Sequence, residues 1–339
     1  MSAVTAAPAL RLGFLGVGWI GRHRMKALLD GGLATAAVLA DPDEQCVQAA
    51  RELCGDIDCV PSLDAMLEQD LDGVVIATPS AAHAGQAIQV LERTLPVFCQ
   101  KPLGRDHAEV QRVVTAAERA GRLLGVDLSY RHLAGMDAAR ALIASGALGP
   151  IYAVQAVFHN AYGPDKAWFY RRELAGGGCL IDLGIHLLDL AFWLLDDPPV
   201  TRIDGRCYSR GMPLREVPEA VEDYATARIE LQGDAIIDLC CSWNLPIGVD
   251  AEIGLRVFGA EGAICLRNVG GSFYDFTVEH IRGREATVLG QPPDAWGGRA
   301  IEQWARALQR SSAFDPSARA MADVARVLDG IYTDALNRE

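Results

Sequence analysis

Cysteine pairs at metal or redox spacing are missing from this chain. Its nine cysteines are odd in number and contain no CxxC. Cys99, Cys240, Cys241 and Cys265 stand inside apolar runs, where a free thiol behaves as a small hydrophobe. Such usage fits a reducing cytosol better than a disulfide framework, so a cytoplasmic protein is expected. Positive charge is also short: 31 Lys and Arg face 44 Asp and Glu, a formal net charge of -13. That balance argues against a nucleic-acid partner, whose affinity comes mostly from neutralising phosphates, and against anionic membrane surfaces. No run approaches the ~18 uninterrupted apolar residues of a membrane span. Met1 to Ala9 shows neither a basic n-region nor a long apolar h-region, so no signal peptide is expected. Internal repeats and low-complexity segments are absent as well. Apolar residues, by contrast, make up half of the 339, enough for two domains with proper cores.

The first third alternates short apolar runs with helical patterns. Strands are expected at Leu10 to Leu15, Ala36 to Ala40, Val74 to Ala77, Pro96 to Cys99 and Leu123 to Leu128. Between them, helices are expected at Trp19 to Leu29, Leu63 to Glu68 with Ser62 as cap, Ala81 to Arg93, and from Asp106 to Ala120. Alternation at this spacing argues for a parallel, doubly wound α/β sheet over residues 1–126. The rhythm then changes. Over 127–339, helices near Met136 to Ser145 and Leu180 to Leu195 are followed by strands in series, such as Tyr224 to Leu231 with Ala225, Ala227, Ile229 and Leu231 on one face. Strands without intervening helices imply an antiparallel or mixed sheet in a second, α+β domain. Two amphipathic helices close the chain, the first marked by Ile301, Trp304 and Leu308.

Gly16-Val17-Gly18-Trp19-Ile20-Gly21 follows the first strand and opens the first helix, and Asp41 ends the second strand twenty positions after Gly21. In that context the glycines read as a dinucleotide cradle. Gly16 allows a tight turn, Gly18 a close approach of backbone to pyrophosphate, and Gly21 close helix–strand packing. The helix N-terminus offers its N–H groups to phosphate, and Asp41 would accept from ribose hydroxyls. The acidic stretch Asp41-Pro42-Asp43-Glu44 should repel a 2′-phosphate, which favours NAD over NADP.

Two further segments point to chemistry. Lys101, in Gln100-Lys101-Pro102, ends an apolar strand at the sheet edge where open α/β folds bind ligands, and Pro102 restricts it to extended geometry. In Gly176-Gly177-Gly178-Cys179-Leu180-Ile181-Asp182-Leu183-Gly184-Ile185-His186-Leu187-Leu188-Asp189, a helix from Leu180 would put Asp182, His186 and Asp189 on one stripe. Three polar groups on an apolar helix need partners or a ligand. A hydrogen-bonded core network, a proton-transfer site built on His186, and a metal site all satisfy that need. The metal is disfavoured because no second His/Cys cluster at ligand spacing exists.

Together these segments resemble the glucose–fructose oxidoreductase / inositol dehydrogenase / MocA (Gfo/Idh/MocA) family. The likeness rests on GVGWIG, Ala77-Thr78-Pro79-Ser80 with His83, the QKP tripeptide, Tyr130-Arg131 before a helix ending Gly146-Ala147-Leu148-Gly149, and GGGCLIDLGIHLLDL. It implies a Rossmann domain plus a domain with a large open, mostly antiparallel sheet that mediates homodimers or homotetramers. It also implies that Lys101, Asp182 and His186 are catalytic. Gly16, Gly18, Trp19, Ile20, Gly21, Asp41, Thr78, Pro79, Ser80, His83, Gln100 and Lys101 would then bind the cofactor. The family usually has Glu where Gln100 stands, and often a glycine where Thr94-Leu95 stands. Trp168, Tyr170 and Arg172, with Arg131 and Trp296, are expected to join Asp182 and His186 around the substrate. An aromatic face suits sugar C–H groups, and Arg can read hydroxyls or an acidic substituent. The expected activity is NAD-dependent hydride transfer at a secondary hydroxyl or ketone of a cyclic polyol, sugar or sugar derivative, without a metal. A non-catalytic, NAD-responsive sugar sensor on the same fold is the alternative. A metal-assisted lyase or hydrolase is a third reading.

Overall fold

A computed structural model describes residues 8–217 and 219–337; residues 1–7, within the stretch read for a signal peptide, lie outside the described residues. The chain divides into two compact units. The first holds the chain up to Gly104 together with Ala108–Asp127 and Gly298–Arg319, and the second holds Arg105–His107, Leu128–Gly297 and 320 onward.

Five parallel strands form the first unit's sheet: β1 (Leu10–Leu15), β2 (Ala34–Ala40), β3 (Gly73–Ile76), β4 (Val97–Cys99) and β5 (Leu124–Val126), in the order β2-β1-β3-β4-β5. All of β3 and β4 is buried, because their side chains are apolar on both faces. Order reverses between β1 and β3, which makes that edge the topological switch point where such sheets bind ligands. Ser62 caps the short helix Leu63–Met66 by accepting from the Ala65 N–H, as the sequence leads one to expect.

One segment departs from the expected division at 126/127. The helix Arg299–Arg310 packs in the first unit, not the second. Its Ile301, Trp304 and Leu308 join a buried cluster with Leu12, Leu28 and Phe98. The Trp304 ring lies 5.7 Å from that of Phe98, and the missing side chains of Gly73 and Gly125 leave its indole room. The amphipathic pattern marks which face is buried but carries no information on which core receives it.

The second unit is built on nine strands: β6 (Ile151–Asn160), β7 (Val200–Ser209), β8 (Met212–Pro213), β9 (Tyr224–Leu231), β10 (Ile236–Ser242), β11 (Ala251–Gly259), β12 (Ala263–Asn268), β13 (Phe276–Arg282) and β14 (Glu285–Gly290). Their order is β14-β13-β12-β11-β6-β10-β9-β7-β8, antiparallel except where β6 and β10 run parallel. The helices Ile185–Leu194 and Ala320–Asn337 pack against β6, β7 and β10. Val154, Ala156, Phe158, Ala225, Ala227, Ile229, Leu239 and Leu255 are buried at the alternating positions the strand pattern marks.

Among the described residues, Arg172–Leu194 has the length and composition to cross a membrane, but 83% of its apolar window is buried within the protein. It is a core segment, and it is not one regular helix. A widened turn occupies Leu180–Gly184, with the Ile185 N–H donating back to Leu180, before a regular helix runs over Ile185–Leu194. The expectation of a continuous helix from Leu180 is corrected accordingly, and Asp182 lies inside the widened turn.

Candidate active site

In the first unit the glycine loop joins β1 to the helix Trp19–Asp30 at the switch point. Gly16 sits at φ +84°, and a Cβ there would lie 2.6 Å from the Ala77 backbone. A Cβ on Gly21 would lie 2.3 Å from the Gly16 carbonyl oxygen, whereas one on Gly18 would meet nothing within 4 Å. Two glycines are thus demanded by the chain itself, and the third opens on empty space where a pyrophosphate could approach the backbone. This arrangement fits a dinucleotide. Trp19 is exposed and Ile20 half-buried on the helix's first turn. The Asp41 carboxylate accepts from the Val17 N–H at 2.7 Å and the Asp43 N–H at 2.9 Å, tying the loop to the end of β2.

The ends of β3, β4 and β5 complete this edge. Thr78 donates its hydroxyl to Gln86 at 2.6 Å, Pro79 precedes the helix Ser80–Glu92, and Ser80 is buried. His83, expected to touch the cofactor, is only 1% exposed. Its Nδ1 lies 2.7 Å from the Pro102 carbonyl and its Nε2 2.6 Å from that of Thr78. It therefore staples the β3 turn to the lysine turn and is corrected to an internal support. Burial pushes its pKa down, against the pull of the two carbonyls, and Lys101 adds to the depression. Gln100 continues the strand ladder to Ile76, and the half-buried Lys101 follows it with a cis peptide to Pro102.

The second unit collects the other expected groups and re-sorts them. The indole N–H of Trp243 donates to the Asp182 carboxylate at 3.2 Å. The His186 ring packs 5.0 Å from that of Tyr130 and 6.4 Å from that of Phe158. The Trp296 ring lies tilted 5.1 Å from that of Tyr130, and its indole N–H donates to the Tyr274 carbonyl. Tyr170 is exposed and meets Trp243 edge-on at 5.6 Å, while Trp168 stacks on Phe169 at 3.8 Å. Burial, with Asp182 adding, pushes the Tyr130 hydroxyl far up, so it stays a neutral donor. Asp182 and His186 are thus each set against aromatic rings.

Asp189 and Arg131 do not join them. Asp189 is buried and receives Nε of Arg131 at 2.7 Å and Nη2 in a second, shorter contact. The guanidinium expected to read substrate is committed to a bidentate core pair, and the polar stripe read along the helix splits in two. Arg172 is likewise drawn aside, standing 5.7 Å over the Tyr332 ring near Asp329.

Sequence reasoning missed Trp243 as a site residue and took Tyr130 only as a motif letter. It also missed Glu222. That carboxylate is fully buried and accepts from the N–H groups of Gly178 and Leu180 at 2.9 Å and the Tyr332 hydroxyl at 2.7 Å. Two of the three glycines are explained by this clamp: a Cβ on Gly178 would lie 1.9 Å from the Glu222 carbonyl, and one on Gly177 2.0 Å from the Tyr332 hydroxyl. Nothing local flags Glu222, since the contact spans more than forty residues. Asp127, which follows β5 as Lys101's neighbour Gln100 follows β4, carried a signal in that strand-end position.

Among the described residues, no three His, Cys, Asp or Glu side chains converge as metal ligands. Residues 10–128 match the model of an oxidoreductase family with an NAD-binding Rossmann fold, and residues 136–265 match a GFO/IDH/MocA C-terminal domain. A 1,5-anhydro-D-fructose reductase of Ensifer adhaerens is 31% identical over 60% of this chain, and the chain spans 59% of that relative's own length. An inositol 2-dehydrogenase of Gluconacetobacter diazotrophicus is 25% identical over 89% of this chain and 94% of its own. A solved levoglucosan dehydrogenase, in complex with NADH and levoglucosan, shares the fold with a TM-score of 0.82 at 21% identity, covering 96% of this chain and 97% of that one. With both of its parts matched, the chain belongs to the Gfo/Idh/MocA family of NAD-binding oxidoreductases.

Proposed function

We propose that this protein is an NAD-dependent dehydrogenase or reductase acting at a secondary hydroxyl or ketone of a cyclic polyol or sugar. The observation that carries the reading is the open backbone at Gly18, framed by two glycines that tolerate no side chain. Gly16, Gly18 and Gly21, with Asp41 and the Thr78–Ser80 turn, would hold NAD, which supplies the hydride acceptor or donor when bound. The acids Asp41, Asp43 and Glu44 favour NAD over NADP by repelling a 2′-phosphate.

In this reading His186 takes the hydroxyl proton, Tyr130 keeping its ring in place, and Lys101 donates a hydrogen bond to the oxygen as negative charge develops. Asp182, fixed by Trp243, orients a neighbouring hydroxyl. The aromatic wall of Tyr130, Trp243 and Trp296 suits the apolar C–H face of a sugar ring and excludes water. We also propose a cytoplasmic homodimer or homotetramer.

The test is absorbance of reduced nicotinamide while protein and NAD are offered a panel of inositols, aldoses and sugar acids. Lys101→Met and His186→Ala are each expected to lower turnover at least a hundredfold with NAD affinity nearly intact. Full activity in both variants refutes the assigned roles. Silence across the panel with NAD still bound favours the sensor.

A further inference from the structure

Three residues tie the cofactor helix to the lysine turn, all within the first unit. Arg24 leaves the helix Trp19–Asp30 one turn past Gly21 and places its Nε 2.5 Å from Oδ2 of Asp127. Gln100 donates its side-chain N–H to the same oxygen, and its Oε1 accepts from the Lys101 backbone N–H at 3.3 Å. Arg24 and Gln100 are each 8% exposed and Asp127 1%. Asp127 also keeps its strand contact, donating its backbone N–H to the Cys99 carbonyl at 3.0 Å.

We propose that Asp127 is a positioning residue for Lys101: through the Gln100 amide it sets the turn that presents the lysine, and it requires residue 100 to be a neutral donor. An amide has one donating end and one accepting end. With the donating end held by Asp127, the accepting end is directed to Lys101, and the lysine's turn is anchored through side chain as well as strand. The Arg24 guanidinium lies directly against the Asp127 carboxyl group in a buried setting, so the two groups pair within the trio. A glutamate at 100 would have no N–H for Asp127 and would set two carboxylates against each other beside one guanidinium. The carboxylate at this edge of the sheet therefore belongs to residue 127. The inference rests on the oxidoreductase reading, and its experiment keeps the two separable.

The experiment is a charge swap on the full chain, comparing Gln100→Glu, Asp127→Asn and the double variant. Melting temperature, NAD affinity by titration, and kcat and KM on the substrate found by the panel are read for each. Gln100→Glu is expected to weaken NAD binding at least tenfold at pH 8 and to lower kcat more than KM for the sugar. Its binding deficit should narrow at acid pH, because two facing carboxyls can share a proton; His23, Arg24, the Cys99 thiol and, next in the chain, Lys101 are the other ionisable groups around the pair. Asp127→Asn takes the carboxylate away from Arg24 and lowers the melting temperature. The double variant restores one carboxylate, one amide and one guanidinium, and should return NAD affinity and kcat to within about threefold of the parent, a non-additive recovery. Parent-like affinity and kcat in Gln100→Glu overturn the proposal, as does a double variant no better than the worse single. If Gln100→Glu does not fold, the double must still be more stable and more active than Asp127→Asn. Failure of the parent to bind NAD counts against the oxidoreductase reading, while the melting series still judges the trio.

Discussion

Arg131→Ala is expected to cost stability and to leave substrate recognition almost untouched. Asp189 is 1% exposed, and both of its oxygens receive the Arg131 guanidinium. Burial pushes the Asp189 carboxyl up from its ordinary 3.8, and Arg131 opposes that shift. Without the guanidinium the buried carboxylate has lost its counter-charge. Breaking such a pair from one side costs about 3–5 kcal/mol. At about 2–4 °C per kcal/mol for a unit of this size, the melting midpoint falls by ~6–20 °C. The pH dependence has a definite sign. A carboxyl whose folded pKa exceeds its unfolded value binds more protons folded than unfolded, so the variant loses stability as pH rises from the ordinary carboxylate range to the raised folded value. Its deficit should be smallest near the ordinary 3.8 and larger at neutrality. Thermal melts from about pH 4 to 8, with Michaelis constants at neutral pH, measure both effects. Arg131→Met combined with Asp189→Leu should recover most of the loss, since an apolar pair of similar volume can replace a buried ion pair. Unchanged melting with KM raised a hundredfold would refute the reasoning and put the guanidinium on the substrate.

Gly18→Ala should fold like the parent, because its Cβ meets nothing within 4 Å, yet bind NAD at least tenfold more weakly, a loss of about 1.4 kcal/mol; melting and NAD titration check the two halves. His83→Gln should flatten the acid side of the stability profile. The folded pKa of His83 lies below its ordinary 6.5, so the unfolded chain takes up a proton the folded chain refuses, and stability falls as pH drops below that value. The slope contributed is up to about 1.4 kcal/mol per pH unit, and denaturant titrations at several pH values would show its loss.

How much of this was legible in the sequence follows from how local each cause is. The cradle was readable because the turn needs glycine at Gly16 and Gly21 for reasons set within one β–α unit and the β3 turn beside it. The parallel strands were readable because burial on both faces writes a continuous apolar run, and the later strands because burial on one face writes alternation. The polar stripe of Asp182, His186 and Asp189 was visible too, but its meaning was not. Helical periodicity gives direction about one axis, and only the surroundings decide that Asp182 meets Trp243 while Asp189 meets Arg131. His83 looked like a ligand-binding residue for the same reason: its motif is local, and the Pro102 carbonyl that buries it arrives from another strand end.

The two-part α/β and α+β organisation, the glycine cradle at the end of β1 and the placing of Lys101 at the end of β4 are all written in the order of residues, since each depends on residues close together in the chain. Long-range packing alone settles that Trp304 completes the first unit's core, that Glu222 clamps the Gly177–Gly178 turn, that Arg131 serves the core, and that Asp127 holds Gln100. Those pairings join residues tens to hundreds of positions apart. A buried charge or a large indole finds its partner by shape and desolvation in the folded state, and neither leaves a periodic trace in the order of residues.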